Sequence, residues 1–218
     1  MAFPTIFNFL QQLSENNNRE WFHGHKPEFM KAKDSFEIIT ELLIREIGKY
    51  DKEIGTLQAK DCIFRIYRDV RFSKDKSPYK TNFGAFLVPG GKKSGKAGYY
   101  LHLDPDGSFL AGGVYMPASD QLKKIRNYIF THPEELKQII SKPAFKRDFG
   151  EISGDKLKKA PRGFPADFPD LELLKFKSYI VVMNYNKSAV FGPDFLNEAF
   201  ETYNHMNPFI AYINKALS

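Results

Sequence analysis

Apolar side chains recur every three or four positions over the first fifty residues and every second position after residue 62, so the chain passes from helical to strand periodicity just before its most cationic stretch. Phe7, Leu10 and Leu13 mark a first helix. Asn17-x-x-Glu20 reads as a capping box opening a short turn that carries Trp21 and Phe22, and Gly24 interrupts it. Pro27 suits the first position of a longer helix whose apolar face is Phe29, Phe36, Ile39, Leu43 and Ile47, up to Gly48.

From Cys62, Phe64 and Ile66 alternate with Ile63, Arg65 and Tyr67, which predicts a strand, and further strands are predicted at about 82–88, 98–104 and 108–115. Asp104-Pro-Asp-Gly-Ser108 is a strong turn signal between the last two. Pro89 to Gly98 reads as a mobile Gly/Lys hairpin, dispensable for folding. After Pro117 the pattern is helical again, with Leu122, Ile125 and Ile129 on one face. Thr131-x-x-Glu134 is read as the cap of a second helix and Gly150 as the end of a third. Residues 151–176 are loop-rich, Ser178 to Met183 forms a further strand, and Pro193 opens a C-terminal helix bent or broken at Pro208. The expected fold is α+β: an antiparallel meander of about five strands flanked by N-terminal and C-terminal helices, in one domain over 1–218. Within it, 1–50 is helical, 60–116 holds the sheet and the basic motif, and 117–218 adds helices and one strand.

Composition narrows the setting. No apolar run approaches the roughly 20 residues of a membrane span, the N-terminus lacks a basic leader, and a lone cysteine, Cys62, excludes an internal disulfide. A cytoplasmic address is inferred, with no membrane partner. The formal charge of +6 is local: residues 60–96 carry ten Lys/Arg against three Asp/Glu, leaving 22 against 23 elsewhere. Such a field concentrates anions near one face.

Four catalytic patterns fail on context. Gly90-x-x-x-x-Gly95-Lys96 approximates a phosphate loop, but Ala97 lacks the magnesium-binding hydroxyl and a strand follows in place of a helix. Ser73-x-x-Lys76 and Ser77-x-x-Lys80 need a helical turn, which Pro78 opposes. His23-x-His25 has no further ligand at usual spacing, so no metal site is predicted, and Cys62 in an apolar strand reads as a buried filler.

The run from Cys62 to Asn82 is different. Arg65, Arg68 and Arg71 stand at spacings of three, and burying them would be costly. Strand alternation puts Arg65, Tyr67, Asp69 and Arg71 on one face and Cys62, Phe64, Ile66, Val70 and Phe72 on the core face, with a bulge near Arg68-Asp69. Either this face lines a polar cleft, or it is an internal ion-pair lattice closed by Asp69 and Asp75.

Asn16-Asn-Asn-Arg-Glu-Trp-Phe22, the run Phe64 to Thr81, Gly112-Gly-Val-Tyr-Met-Pro117, and the segment from Pro161-Arg-Gly-Phe164 to Leu174-Lys-Phe-Lys-Ser178 resemble the bacterial domain of unknown function 2461 family over nearly the whole chain. The resemblance implies a single cytoplasmic-type domain with Arg65, Arg68, Asp69, Arg71, Lys76, Tyr79 and Lys80 in the family signature. It implies no activity, cofactor or partner.

The residues themselves favour an anion-binding cleft for a phosphate- or carboxylate-bearing small ligand. Arg65, Arg68, Arg71, Ser73, Lys76 and Lys80 would line it, Asp69 would act as orienter or base, and Tyr79, Tyr100 and His102 would form a hydrogen-bonding wall. Arg162 on its Gly/Pro loop is a further contact. Phosphoester or phosphoryl-transfer chemistry is the class such a cleft would serve. The alternative is a non-catalytic nucleic-acid-binding or protein-interaction module using the basic strand and the Lys92-Lys93-Lys96 hairpin. The residues point to no particular cofactor and specify no oligomeric state.

Overall fold

The computed structural model describes residues 2–218. Helices α1 (Ala2–Glu15), α2 (Arg19–Gly24), α3 (Lys26–Ile47) and α4 (Ala59–Cys62) lead into strands β1 (Phe83–Leu87), β2 (Gly98–Leu103) and β3 (Ser108–Val114). Helices α5 (Ser119–Thr131), α6 (Pro133–Ser141), α7 (Pro143–Phe149) and α8 (Leu171–Leu174) precede β4 (Tyr179–Tyr185), and α9 (Lys187–Val190) and α10 (Phe195–Leu217) close the chain. The strands form one antiparallel sheet in the order β1-β2-β3-β4, so the fold is α+β with a four-stranded meander.

The missing fifth strand is the basic run. Cys62 ends α4, and beyond it Ile63 and Tyr67 make only isolated bridges, to Ala85 and Tyr79. Single backbone bonds continue the edge: Phe64 N–H donates to Gly84 O (2.9 Å), Lys80 to Ile66 O (2.8 Å) and Arg68 to Pro78 O (3.0 Å). Arginines at every third position cannot keep a period of two, so no continuous ladder forms and only some of the apolar side chains turn inward. Cys62 and Ile66 do so, whereas Phe64, Tyr67 and Phe72 are 38%, 52% and 96% exposed. The expected core face is therefore wrong at Phe64 and Phe72.

The chain folds into two compact units. The first takes the chain up to Leu87 together with Tyr100–Leu110 and Asn184–Phe200, and the second takes Val88–Tyr99, Ala111–Met183 and Glu201–Ser218. In the first, Ile6, Phe7, Leu10 and Leu13 of α1 and Phe36, Ile39, Leu43 and Ile47 of α3 are buried, and Phe83 of β1 packs on Phe36 with ring centroids 5.3 Å apart. Asn18, one residue beyond the expected cap, accepts the N–H of Trp21 (2.9 Å) to start α2.

In the second unit, Ile125, Ile129, Leu136, Phe145, Met206, Phe209 and Ile213 are buried. Tyr99 packs edge-on against Tyr203 at 5.7 Å and donates to Asn207 Oδ1 (2.9 Å). Gly112 is required there, since a Cβ would lie 2.8 Å from the sulfur of Met206 and 2.9 Å from Ile210. Thr131 does not cap α6; its hydroxyl bonds back to Asn127 O and Tyr128 O, and α6 starts on Pro133. Pro208 does not break α10, which runs through it.

The Gly/Lys hairpin is tied rather than free. Ala97 is fully buried, its N–H donates to Asn214 Oδ1 (2.8 Å), and its carbonyl accepts from Asn214 Nδ2 (3.0 Å). Gly95 O accepts from Gln121 Nε2 (3.1 Å). These bonds run against the expected dispensability, because the buried Ala97 backbone needs the Asn214 amide as its hydrogen-bond partner.

Candidate functional site

The basic run folds as a loop closed at its foot by the Tyr67–Tyr79 bridge and held from α1's exit by Asn17. Asn17 Oδ1 accepts the Tyr79 N–H (3.1 Å) and its Nδ2 donates to Tyr79 O (3.0 Å). The Tyr79 ring is 2% exposed and stacks on Phe22 at 4.0 Å. It is a core anchor, not a wall facing solvent.

Above that foot the loop is braced by its own side chains. Arg71 forks onto Asp69, with Nε to Oδ1 at 2.9 Å and an amino nitrogen to Oδ2 at 2.7 Å. Arg68 pairs with Asp75 and also donates to Ser77 O (3.3 Å) and Ser73 Oγ (3.4 Å). Lys76 Nζ donates to Val70 O (3.0 Å), and Lys80 Nζ to Arg65 O (3.0 Å). The Arg71 fork holds the Asp69 carboxyl below its ordinary range. The Ser77 hydroxyl, then its N–H, then Arg68 pull Asp75 down to about 2. The fork also gives Asp69 the role of holding Arg71 in place.

Arg71 and Asp69 are exposed, and Arg68 is half-buried beside an exposed Asp75, so the loop is not a buried lattice. A groove of about 340 Å³ lies elsewhere, in the second unit, between Glu135, Gln138 and Lys142 and Pro208, Tyr212 and Lys215. None of the basic run lines it. Arg162 also belongs to the second unit, exposed on a turn whose Gly163 has φ 91°.

Tyr100 and His102 are brought together, Oη to Nδ1 at 3.0 Å, on the β2 face opposite buried Tyr99, Leu101 and Leu103. Burial pushes the Tyr100 hydroxyl up to about 12. They connect to the basic run through Phe64, whose ring lies 6.2 Å from Tyr100 and 5.5 Å from Lys80 Nζ. Asn82, Asp104 and Phe109 complete this patch, and strand periodicity had singled out none of them: Asn82 Nδ2 lies 3.3 Å from His102 Nδ1, Asp104 Oδ2 3.8 Å from Nε2, and Phe109 stacks on the imidazole at 4.4 Å. Among the described residues no group of His, Cys, Asp and Glu could hold a metal ion, and no helix is long and apolar enough to cross a membrane.

The fold is thus α+β, and its most cationic segment is an edge loop braced by its own carboxylates and bearing exposed rings. The chain belongs to the DUF2461 family, described as a conserved hypothetical protein, which it matches over residues 5–212. No curated protein and no solved structure matches it.

Proposed function

We propose that this domain is a non-catalytic binding module that takes single-stranded nucleic acid along the segment from Phe64 to Lys80. The observation that carries the reading is the exposure of Phe64, Tyr67 and Phe72 between Arg65, Arg68 and Arg71. Of nine large apolar side chains exposed among the described residues, three fall on these nine positions, so the exposure is concentrated where the cations are. Phe72 has nothing apolar to bury it and carries the Arg71 guanidinium 5.9 Å from its ring centre.

Residues 65–80 hold six Lys/Arg against two Asp/Glu, a surplus of four cations for phosphates. Rings stack on bases whatever the sequence, because every base has a π face. The ion pairs of Arg68 and Arg71 keep the loop in one shape, which lowers the ordering cost of binding. A small phosphate ligand would instead need a concave pocket, and the groove in the second unit is lined by none of the loop's cations.

The test is fluorescence anisotropy with single-stranded oligonucleotides of about twelve nucleotides, from about 50 to 200 mM salt. Phe72→Ala is expected to weaken binding by roughly 5- to 150-fold, the equivalent of about 1–3 kcal/mol per stacked base. Lys74→Gln is expected to lower the salt slope by about 0.7. Absence of binding at low salt, or full affinity in Phe72→Ala, would overturn the reading.

A further inference from the structure

The first unit turns a second row of groups away from its helices: Asn82, Gly84, Tyr100 and His102, with Phe109 beside them. The rings run without a gap from the basic loop, Phe64 to Tyr100 at 6.2 Å, Tyr100 to Phe109 at 5.7 Å and Phe109 to His102 at 4.4 Å. Gly84 makes room for this, since a Cβ there would come within 2.5 Å of the Tyr100 hydroxyl.

The polar end of the row is over-supplied on one side. His102 Nδ1 is approached by both Tyr100 Oη (3.0 Å) and Asn82 Nδ2 (3.3 Å), and one ring nitrogen has a single site for them. Asp104 stands on the other side of the ring, 3.8 Å from Nε2. Asn82 therefore keeps at least one amide hydrogen, and among the described residues nothing donates to its Oδ1. A half-buried amide, steered by an imidazole and left with one donor and one acceptor side by side, matches the edge of a base better than it matches a lone phosphate.

We propose that Asn82 is a specificity residue that reads adenine, accepting from the exocyclic amine and donating to the adjacent ring nitrogen, with the base against the Phe64 and Tyr100 rings. The pairing of asparagine with adenine follows from this donor–acceptor geometry. Lys80, whose ammonium sits over Phe64, meets the phosphate of the same nucleotide. The inference rests on the nucleic-acid reading of the loop and adds base selectivity to it.

The experiment compares fluorescein-labelled oligo-dA, oligo-dC, oligo-dG and oligo-dT of about twelve nucleotides at one salt concentration, with the salt slope measured for each protein. Oligo-dA is expected to bind about tenfold more tightly than the others. Asn82→Ala, and Asn82→Leu as the variant of matching volume, are expected to bring the four within about twofold while leaving the salt slope unchanged, since no phosphate contact is lost. Melting temperatures of both variants accompany the titrations. No binding of any oligomer by the wild-type protein overturns the loop reading and this one with it. Binding without preference, with preference for another base, or with an oligo-dA preference that survives in both variants overturns the adenine site alone.

Discussion

Asn17 in the first unit and Asn214 in the second do the same thing to two basic loops. Each amide takes the N–H and the C=O of a single buried residue, Tyr79 at 3.1 and 3.0 Å and Ala97 at 2.8 and 3.0 Å. The loops nevertheless differ. At Ala97 the clamp is reinforced by Gln121 on Gly95, so the tail of the Gly/Lys hairpin is fastened through its backbone. At Tyr79 the clamp holds only the foot, and the residues beyond it are braced by Arg–Asp pairs and serine hydroxyls on the surface. A backbone that is buried must be hydrogen-bonded, whereas charged side chains in water gain little from pairing, so the first arrangement supports folding and the second shapes a surface.

The largest expected effect tests the backbone clamp. Asn214→Ala strands a buried N–H and a buried C=O, and about 3 kcal/mol of stability should be lost, read as a lower denaturant midpoint at unchanged slope. A loss under about 1 kcal/mol would mean that water reaches Ala97 and that the hairpin is as loose as its composition suggests. Asn17→Ala should cost somewhat less, about 2 kcal/mol, because the Tyr79 ring stays packed on Phe22. Only Asn17→Ala should also weaken oligonucleotide binding, since only that clamp sits under the basic run.

Glycines in the hairpin sharpen the contrast. Gly95 has φ 73° and a Cβ there would meet Gln121 Nε2 at 1.9 Å, while Gly91, with φ 86°, faces open space. Gly95→Ala should therefore destabilise by about 2 kcal/mol and Gly91→Ala by about 1, a difference that thermal unfolding resolves. Equal losses would show that only the backbone conformation matters and that Gln121 is no anchor.

In the basic loop the effects are smaller and lie at low pH. Asp75 is held near 2, below its unfolded value, so its contribution is present above pH 4 or so and is lost as pH falls through about 2. A carboxyl NMR titration should give a midpoint near 2 for Asp75, and Ser77→Ala should raise it by removing the hydroxyl that contributes most. An unmoved midpoint in Ser77→Ala would assign the effect to the residue 77 N–H and Arg68. Phe72→Ala should change stability by less than about 0.5 kcal/mol, as expected of a fully exposed side chain, and Arg71→Gln should leave the denaturant midpoint within error. A marked loss in either would show the loop to be part of the packing.

Much of the helical framework was legible because burial and period coincide: Phe36, Ile39, Leu43 and Ile47 were read as the inner face of α3 and are buried there. The Asp104 to Ser108 turn was legible too, since Pro105 fixes the backbone angle at the first turn position. The basic run misled. Its apolar residues alternate as a strand's do, but the three arginines fall at every third position, and nothing local signals that Phe72 points to water. Asn17 read as a cap and caps nothing; its partner is 62 residues away. The partner of the Asn82 amide was hidden for the same reason, as His102 lies 20 residues on.

What the sequence determined by itself is therefore whatever depends on neighbours within a turn or two of chain: helix faces, tight turns, the concentration of charge between residues 60 and 96, and membership of the family. What only the tertiary structure decided is which polar groups meet. The amides of Asn17, Asn82 and Asn214 acquire their partners from 20 to 117 residues away, and Asp69 braces the loop because Arg71 bends back onto it. Hydrogen bonds act over about 3 Å, so a pattern along the chain carries no record of them until folding has brought their ends together.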